Sequence, residues 1–306
     1  MMNTNKDILP LQGLLNGIGQ VYFTPSVVTS LMLLLAIAIE SIPLACLTVL
    51  GASCSYALAR YTHSSINTNN KLTRDLNNGM YALNGALIGL FIGNFFGVTP
   101  LLAVVTIFGA LLTVPIANIV FRFKKYRGYT SAFILIAWLI YAIQSSFELS
   151  VFSASDSNLI PLMDVDSGTL LPGFILTILK GISQVSFINN EWTGLIILIA
   201  ITLHSVKYAV WIVLAAVIST LFSYMIGADD TPITQGVYGY NAILATLALV
   251  LYPRVTWRLV IAGMLCCCLI TLIFHRLELI PLTAPFVLST WLMVYCSGKL
   301  QNPKVD

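Results

Sequence analysis

Gly17-Ile18-Gly19-Gln20-Val21-Tyr22-Phe23 returns 164 positions later as Gly181-Ile182-Ser183-Gln184-Val185-Ser186-Phe187. Thr29 and Leu31 keep that register with Thr193 and Leu195. Further out, Gly79-Met80-Tyr81-Ala82-Leu83-Asn84 matches Gly236-Val237-Tyr238-Gly239-Tyr240-Asn241 at an offset of 157, continuing to Leu87 and Leu244. Thr130-x-x-Phe133 and Trp138 match Thr283-x-x-Phe286 and Trp291 at an offset of 153. Three collinear matches, with offsets drifting only through loop lengths, establish an internal duplication.

The solvent of this duplicated chain follows from its composition. Of 306 residues, 58% are hydrophobic and 9% charged, and the mean hydropathy is +0.90. Soluble domains carry about 25% charged residues, so lipid has to solvate much of the surface. Uncharged apolar runs at 101–121, 130–147, 208–226 and 259–274 approach or reach the ~20 residues that carry a helix across ~30 Å of hydrocarbon. Runs of this length do not fit the ~10-residue alternating strands of a barrel. Residues 1–10 hold only Lys6 as a basic group and no A-x-A site, so the first span is expected to be a retained anchor. Cys46, Cys54, Cys266, Cys267, Cys268 and Cys296 all lie in apolar runs without metal-ligand spacing and read as reduced packing residues.

The expected fold is an all-α integral membrane protein with ten transmembrane helices. They are placed at about 25–40, 43–59, 79–96, 100–121, 129–149, 190–205, 208–226, 236–252, 258–275 and 280–297. Two shorter apolar stretches, near 8–20 and 171–184, read as half-membrane or re-entrant helices. With the N-terminus cytoplasmic, 13 of the 15 Lys and Arg fall inside, leaving only Lys180 and Arg276 outside. The net charge of +3 therefore follows the positive-inside rule and implies no nucleic acid. Five spans per half is an odd number, so the second repeat is expected to be inverted. The first repeat takes residues 1–149, an extracytoplasmic linker takes 150–170, and the second repeat takes 171–306.

Inverted repeats put a solute site near the midplane, between the halves. Gln, Asn and Thr are costly in hydrocarbon unless they face protein or a watery path. Gln20 and Gln184 fall at the ends of the half-helices, where main-chain carbonyls lack intrahelical partners, and read as pore-lining. Asn84, Asn241, Gly85 and Gly89 read equally well as interhelical hydrogen-bond glue and packing notches. No acidic, basic or imidazole group falls mid-span, which disfavours ion-coupled pumping. His63, His204 and His275 lie in loops or at span ends, no Asn-Pro-Ala pair is present, and no catalytic cluster is evident. Phe23, Phe187, Tyr240, Leu87 and Leu244 offer flat or aliphatic walls, and Gln20, Gln184, Thr130 and Thr283 offer hydrogen-bonding edges. A flat solute rimmed with N–H donors, such as urea, suits that kit. On these grounds small amides and other neutral solutes fit nearly as well, and an ion-coupled secondary transporter remains a further alternative.

The paired Gly-Ile-x-Gln-Val-x-Phe motifs, Tyr-x-x-Asn-Gly-Ala-Leu at 81–87, Tyr-Gly-Tyr-Asn-x-x-Leu at 238–244 and Leu-Thr-Ala-Pro-Phe-Val-Leu-Ser-Thr-Trp at 282–291 together resemble the urea transporter family. The resemblance runs from about residue 10 to residue 298, and the short chain is similar to bacterial members. It implies a homotrimer in lipid, in the inner membrane, while the basic-residue distribution over ten spans puts both termini in the cytoplasm. Each protomer would carry one channel that passes urea single-file, with no cofactor and no covalent chemistry. By motif, Gln20 and Gln184 would head two ladders of oxygen atoms. Phe23 and Phe187 would be slot walls, with Val21 and Val185 beside them and Leu87 and Leu244 opposite. Thr130 and Thr283 would constrict the middle. Leu83 and Tyr240 stand where the family typically has Phe, and Ala132 stands where the second half keeps Pro285. Gln184 is neutral where some relatives carry Glu.

Overall fold

In hydrocarbon each backbone N–H and C=O has to be satisfied within its own segment, and the apolar runs accordingly become helices. The computed structural model describes residues 10–63, 71–123, 126–147, 173–252 and 255–297. The first repeat contains α1 (Pro10–Gly19), a 3₁₀ turn (Gln20–Tyr22), α2 (Val27–Glu40), α3 (Ile42–His63), α4 (Lys71–Asn77), α5 (Met80–Phe96), α6 (Pro100–Val120) and α7 (Ser131–Phe147). The second contains α8 (Gly173–Ser183), a 3₁₀ turn (Gln184–Ser186), α9 (Glu191–His204), α10 (Val206–Met225), α11 (Asp230–Thr234), α12 (Val237–Val250), α13 (Trp257–Arg276) and α14 (Ala284–Cys296). The element order is the same twice. The proposed linker at 150–170 lies outside the described residues.

Among the described residues, four helices are long and apolar enough to cross a membrane singly, namely α3, α6, α10 and α13. The expected spans at 25–40 and 190–205 differ from this. Each is a 14-residue helix, α2 or α9, about 21 Å long and too short to cross alone. Each instead forms a bent pair with the preceding half-helix, at 67° for α1–α2 and 75° for α8–α9, giving up to six candidate spans. The expected spans from 129 and 280 also begin late, at Ser131 and Ala284. Tyr129 (φ 44°) and Leu282 (φ 45°) are left-handed just before them, so the α-helix cannot extend back through either residue.

The short helices α5 and α12 are buried over nearly their whole length. A helix apolar all round and packed by protein on every side is a core element, and it need not match the bilayer thickness. α5 packs on α3 and α6, and α12 packs on α10 and α13. Gly79 (φ 79°) and Gly236 (φ 76°) start these two helices, and a Cβ on either would run into the backbone of Gly17 or Gly181. The permissive residue is needed there for both conformation and proximity. Gly85 and Gly89 meet the backbone of Gly51 and Leu47 on α3, which is the packing role.

Polarity is turned inside out. Leu31, Leu35, Ile39, Phe108, Ile119 and Leu203 are exposed, whereas Asn84, Asn241, Thr246 and Ser289 are fully buried. Buried hydroxyls such as Thr48, Thr106 and Thr246 bond the carbonyl four residues back, which satisfies them inside their own helices. The exposed apolar shell and the apolar helices make this a multi-pass membrane protein.

Equivalent elements of the two repeats meet each other. α2 touches α9, α7 touches α14, and the two 3₁₀ turns touch. The halves therefore meet through equivalent elements.

Candidate functional site

Each repeat builds the same two local structures where the halves meet. In the first, a half-helix ends in a 3₁₀ turn, and a phenylalanine in the left-handed region closes it. Phe23 (φ 57°) donates its N–H to Gln20 O at 3.0 Å, and Phe187 (φ 59°) donates to Gln184 O at 2.9 Å. For non-glycine residues this conformation costs about 1–2 kcal/mol, so tertiary packing has to hold it. The rings supply that packing across the halves. Phe23 meets Phe286 edge-on at 5.9 Å, and Phe187 meets Phe133 at 5.8 Å.

In the second structure, an asparagine brackets a buried helix N-terminus. Asn84 Oδ1 accepts from the Phe133 N–H at 2.9 Å, while its Nδ2 donates to Met80 O at 2.9 Å and Tyr129 O at 3.4 Å. Asn241 Oδ1 accepts from the Phe286 N–H at 3.3 Å, and its Nδ2 donates to Leu282 O at 2.9 Å. These side chains satisfy first-turn donors that a helix start leaves orphaned. The packing role therefore describes both asparagines.

The bracketed ends of α7 and α14 abut. Thr130 Oγ1 and Thr283 Oγ1 share a hydrogen bond of 2.8 Å, with Thr283 fully buried and Thr130 nearly so. Paired tryptophans tie the halves together around it. Trp138 Nε1 donates to Ile280 O at 3.0 Å and Trp291 Nε1 to Arg127 O at 2.9 Å, the same bond made twice at the 153 offset. Tyr22 adds a link, donating its hydroxyl to Ile182 O at 2.8 Å.

Two cavities carry the expected site residues. One, of about 690 Å³, is lined by Gln184, Phe187 and Tyr240. The other, of about 430 Å³, is lined by Gln20, Val21, Phe23, Leu83, Leu87, Thr130, Val185, Leu244 and Thr283. All twelve residues thus line one cavity or the other, and the two threonines line the Gln20 cavity. Gln20 Nε2 donates to Asn78 O at 3.2 Å, which leaves Oε1 as its acceptor. The linings also hold residues not singled out from sequence. Asn78 and Gln235 occupy equivalent places at the 157 offset, and Glu40 and His204 do so at the 164 offset. The offsets themselves were the signal that could have found them. Tyr129 and Phe286 line the Gln20 cavity as well, and Phe286 was already part of a repeated motif.

In the Gln184 cavity, Asn189 Oδ1 and His275 Nε2 are buried atoms without a protein partner. Tyr81 donates to Asn118 Oδ1 at 2.6 Å in the first half. The equivalent Tyr238 makes a ring contact with His275 at 5.7 Å instead. No grouping of His, Cys, Asp or Glu among the described residues could hold a metal ion, and the six cysteines are free. The site offers aromatic faces, amides and hydroxyls. That equipment can desolvate and guide a neutral polar molecule.

A family model described as "Urea transporter" matches residues 11–168 and 175–306. The chain is 34% identical over 79 residues to urea transporter 1 of Ovis aries, covering 26% of this chain and 21% of that protein. To urea transporter 1 of Mus musculus it is 32% identical over 81 residues, covering 26% and 21%. To that of Rattus norvegicus it is 27% identical over 135 residues, covering 41% and 35%. The matched segments thus span between about a fifth and about a third of the length of these relatives.

Proposed function

The chain belongs to the urea transporter family, a family of membrane transport proteins and not of enzymes, and on that premise we propose that it is a passive urea channel. The observation that carries this reading is the Thr130–Thr283 contact, one threonine from each repeat, in a cavity whose walls both repeats supply. Urea enters past Phe187 and Tyr240, or past Phe23 and Leu87, and slides with a face against these walls. Oxygen atoms headed by Gln184 and Gln20 replace the water lost from its N–H groups, since leaving them unpaired would cost several kcal/mol. Thr130 and Thr283 exchange their mutual bond for bonds to the solute as it passes.

The neutral hydroxyls at the Thr130–Thr283 contact support passive permeation, because coupled transport needs a titrating or ion-binding group at depth. The abutting N-termini of α7 and α14 support exclusion of cations, since each contributes a partial positive charge of about half a unit. The proposed assembly is a homotrimer in a bacterial inner membrane. It has ten crossings in two inverted five-span repeats, and both termini are cytoplasmic. The basic-residue distribution supports that orientation.

Stopped-flow shrinkage of proteoliposomes with urea, thiourea, acetamide and glycerol tests the substrate. Urea is expected to equilibrate fastest. Equal acceleration of all four would favour a general neutral-solute pore instead.

A further inference from the structure

Two pairs of equivalent positions flank the proposed slot, and their side chains are transposed between the halves. Positions 83 and 240 are equivalent at the 157 offset, and positions 129 and 282 at the 153 offset. The first half carries Leu83 with Tyr129, and the second carries Tyr240 with Leu282. Each half thus has one leucine and one tyrosine, in exchanged places.

The exchange gives each slot phenylalanine a tyrosine neighbour. Tyr129 meets Phe23 at 5.9 Å with planes at 64°, and Tyr240 meets Phe187 at 6.4 Å with planes at 66°. Both hydroxyls are already engaged. Tyr129 Oη bonds Tyr252 Oη at 3.0 Å, and Tyr240 Oη donates to Leu282 O at 2.6 Å. Each tyrosine therefore presents a ring to the slot rather than a hydrogen-bonding edge. Tyr129 also packs edge-on against Phe286 at 5.2 Å and is almost fully buried, so its ring is held in place.

We propose that Tyr129 is a specificity-determining residue, supplying the aromatic wall beside Phe23 that Leu83 lacks. Leu83–Tyr129 and Tyr240–Leu282 then act as two size-matched units that set the largest solute admitted. This inference rests on the proposed pathway. Removing the ring leaves two leucines and a wider slot, whereas a second ring overfills it, and packed interiors absorb neither change freely.

The test is the methylurea-to-urea flux ratio in proteoliposomes. Tyr129→Leu is expected to raise that ratio at least about fivefold. Leu83→Tyr is expected to cut urea flux at least about tenfold, and Leu83→Tyr/Tyr129→Leu to restore both to within about twofold of the parent. Tyr252→Phe removes the hydroxyl partner but no wall and is expected to leave the ratio unchanged. An unchanged ratio in Tyr129→Leu, or an equal shift in Tyr252→Phe, overturns the proposal. If Tyr129→Leu does not fold, a double variant as blocked as Leu83→Tyr overturns it just as well. Parent vesicles that carry no urea above protein-free ones would sink the pathway reading itself, a result distinguishable from any change in ratio.

Discussion

The hydroxyls of Thr130 and Thr283, 153 residues apart, share a 2.8 Å hydrogen bond at the buried N-termini of α7 and α14. Equivalent residues of the two repeats thus bond each other. Removing one partner strands the other, which costs about 1–3 kcal/mol, whereas removing both can be nearly neutral. Thr283→Val is therefore expected to lower both thermal stability and urea flux. Thr130→Val/Thr283→Val is expected to recover stability while flux stays low. Thermal unfolding in detergent beside vesicle flux separates the two effects, and full recovery of flux in the double variant would remove the threonines from the path.

Gln20 and Gln184 head the proposed ladders. Gln20→Leu and Gln184→Leu are each expected to slow urea flux at least about tenfold, the loss of an unreplaced hydrogen bond of ~1.5 kcal/mol. Because an amide does not titrate, any pH dependence of flux should survive Gln184→Ala. Glu40 and His275 are the carboxyl and imidazole groups lining that same cavity. A steep titration abolished by Gln184→Ala would contradict the neutral role given to Gln184.

The asparagine brackets predict stability effects that are similar in the two halves. Asn84→Ala and Asn241→Ala each leave a buried N–H, of Phe133 or Phe286, short of its partner, and each is expected to cost about 1–3 kcal/mol. Asn84 makes three bonds and Asn241 two, so Asn84→Ala should be the more damaging. Unfolding midpoints of the two variants check the order.

Abutting helix N-termini make the midpoint unfavourable for cations. Planar bilayers holding active protein are expected to show no guanidinium or methylammonium current above protein-free bilayers. A protein-dependent cation current would show that the dipoles do not form the barrier.

Much of this molecule could be read from its residues, and the failures have physical causes. The 153 offset linked Trp138 to Trp291, yet only three dimensions show each indole crossing to the opposite half. A single sequence carries no record of which carbonyl a donor finds. Residues 25–40 are apolar enough for a span, but hydropathy does not register the 67° bend that joins α2 to α1. Residue type alone leaves Asn84 and Asn241 balanced between lining and packing, whereas their bonds to Phe133 and Phe286 make them brackets. Tyr129 has Leu282 as its equivalent, and a transposed pair leaves no repeated residue in the sequence to mark it.

Urea flux into proteoliposomes, measured with and without imposed proton and sodium gradients, tests passive permeation most directly. Rates above protein-free vesicles that are unchanged when the gradients are collapsed, with urea reaching equal concentrations on both sides, are expected. Accumulation of urea driven by either gradient would contradict a passive channel.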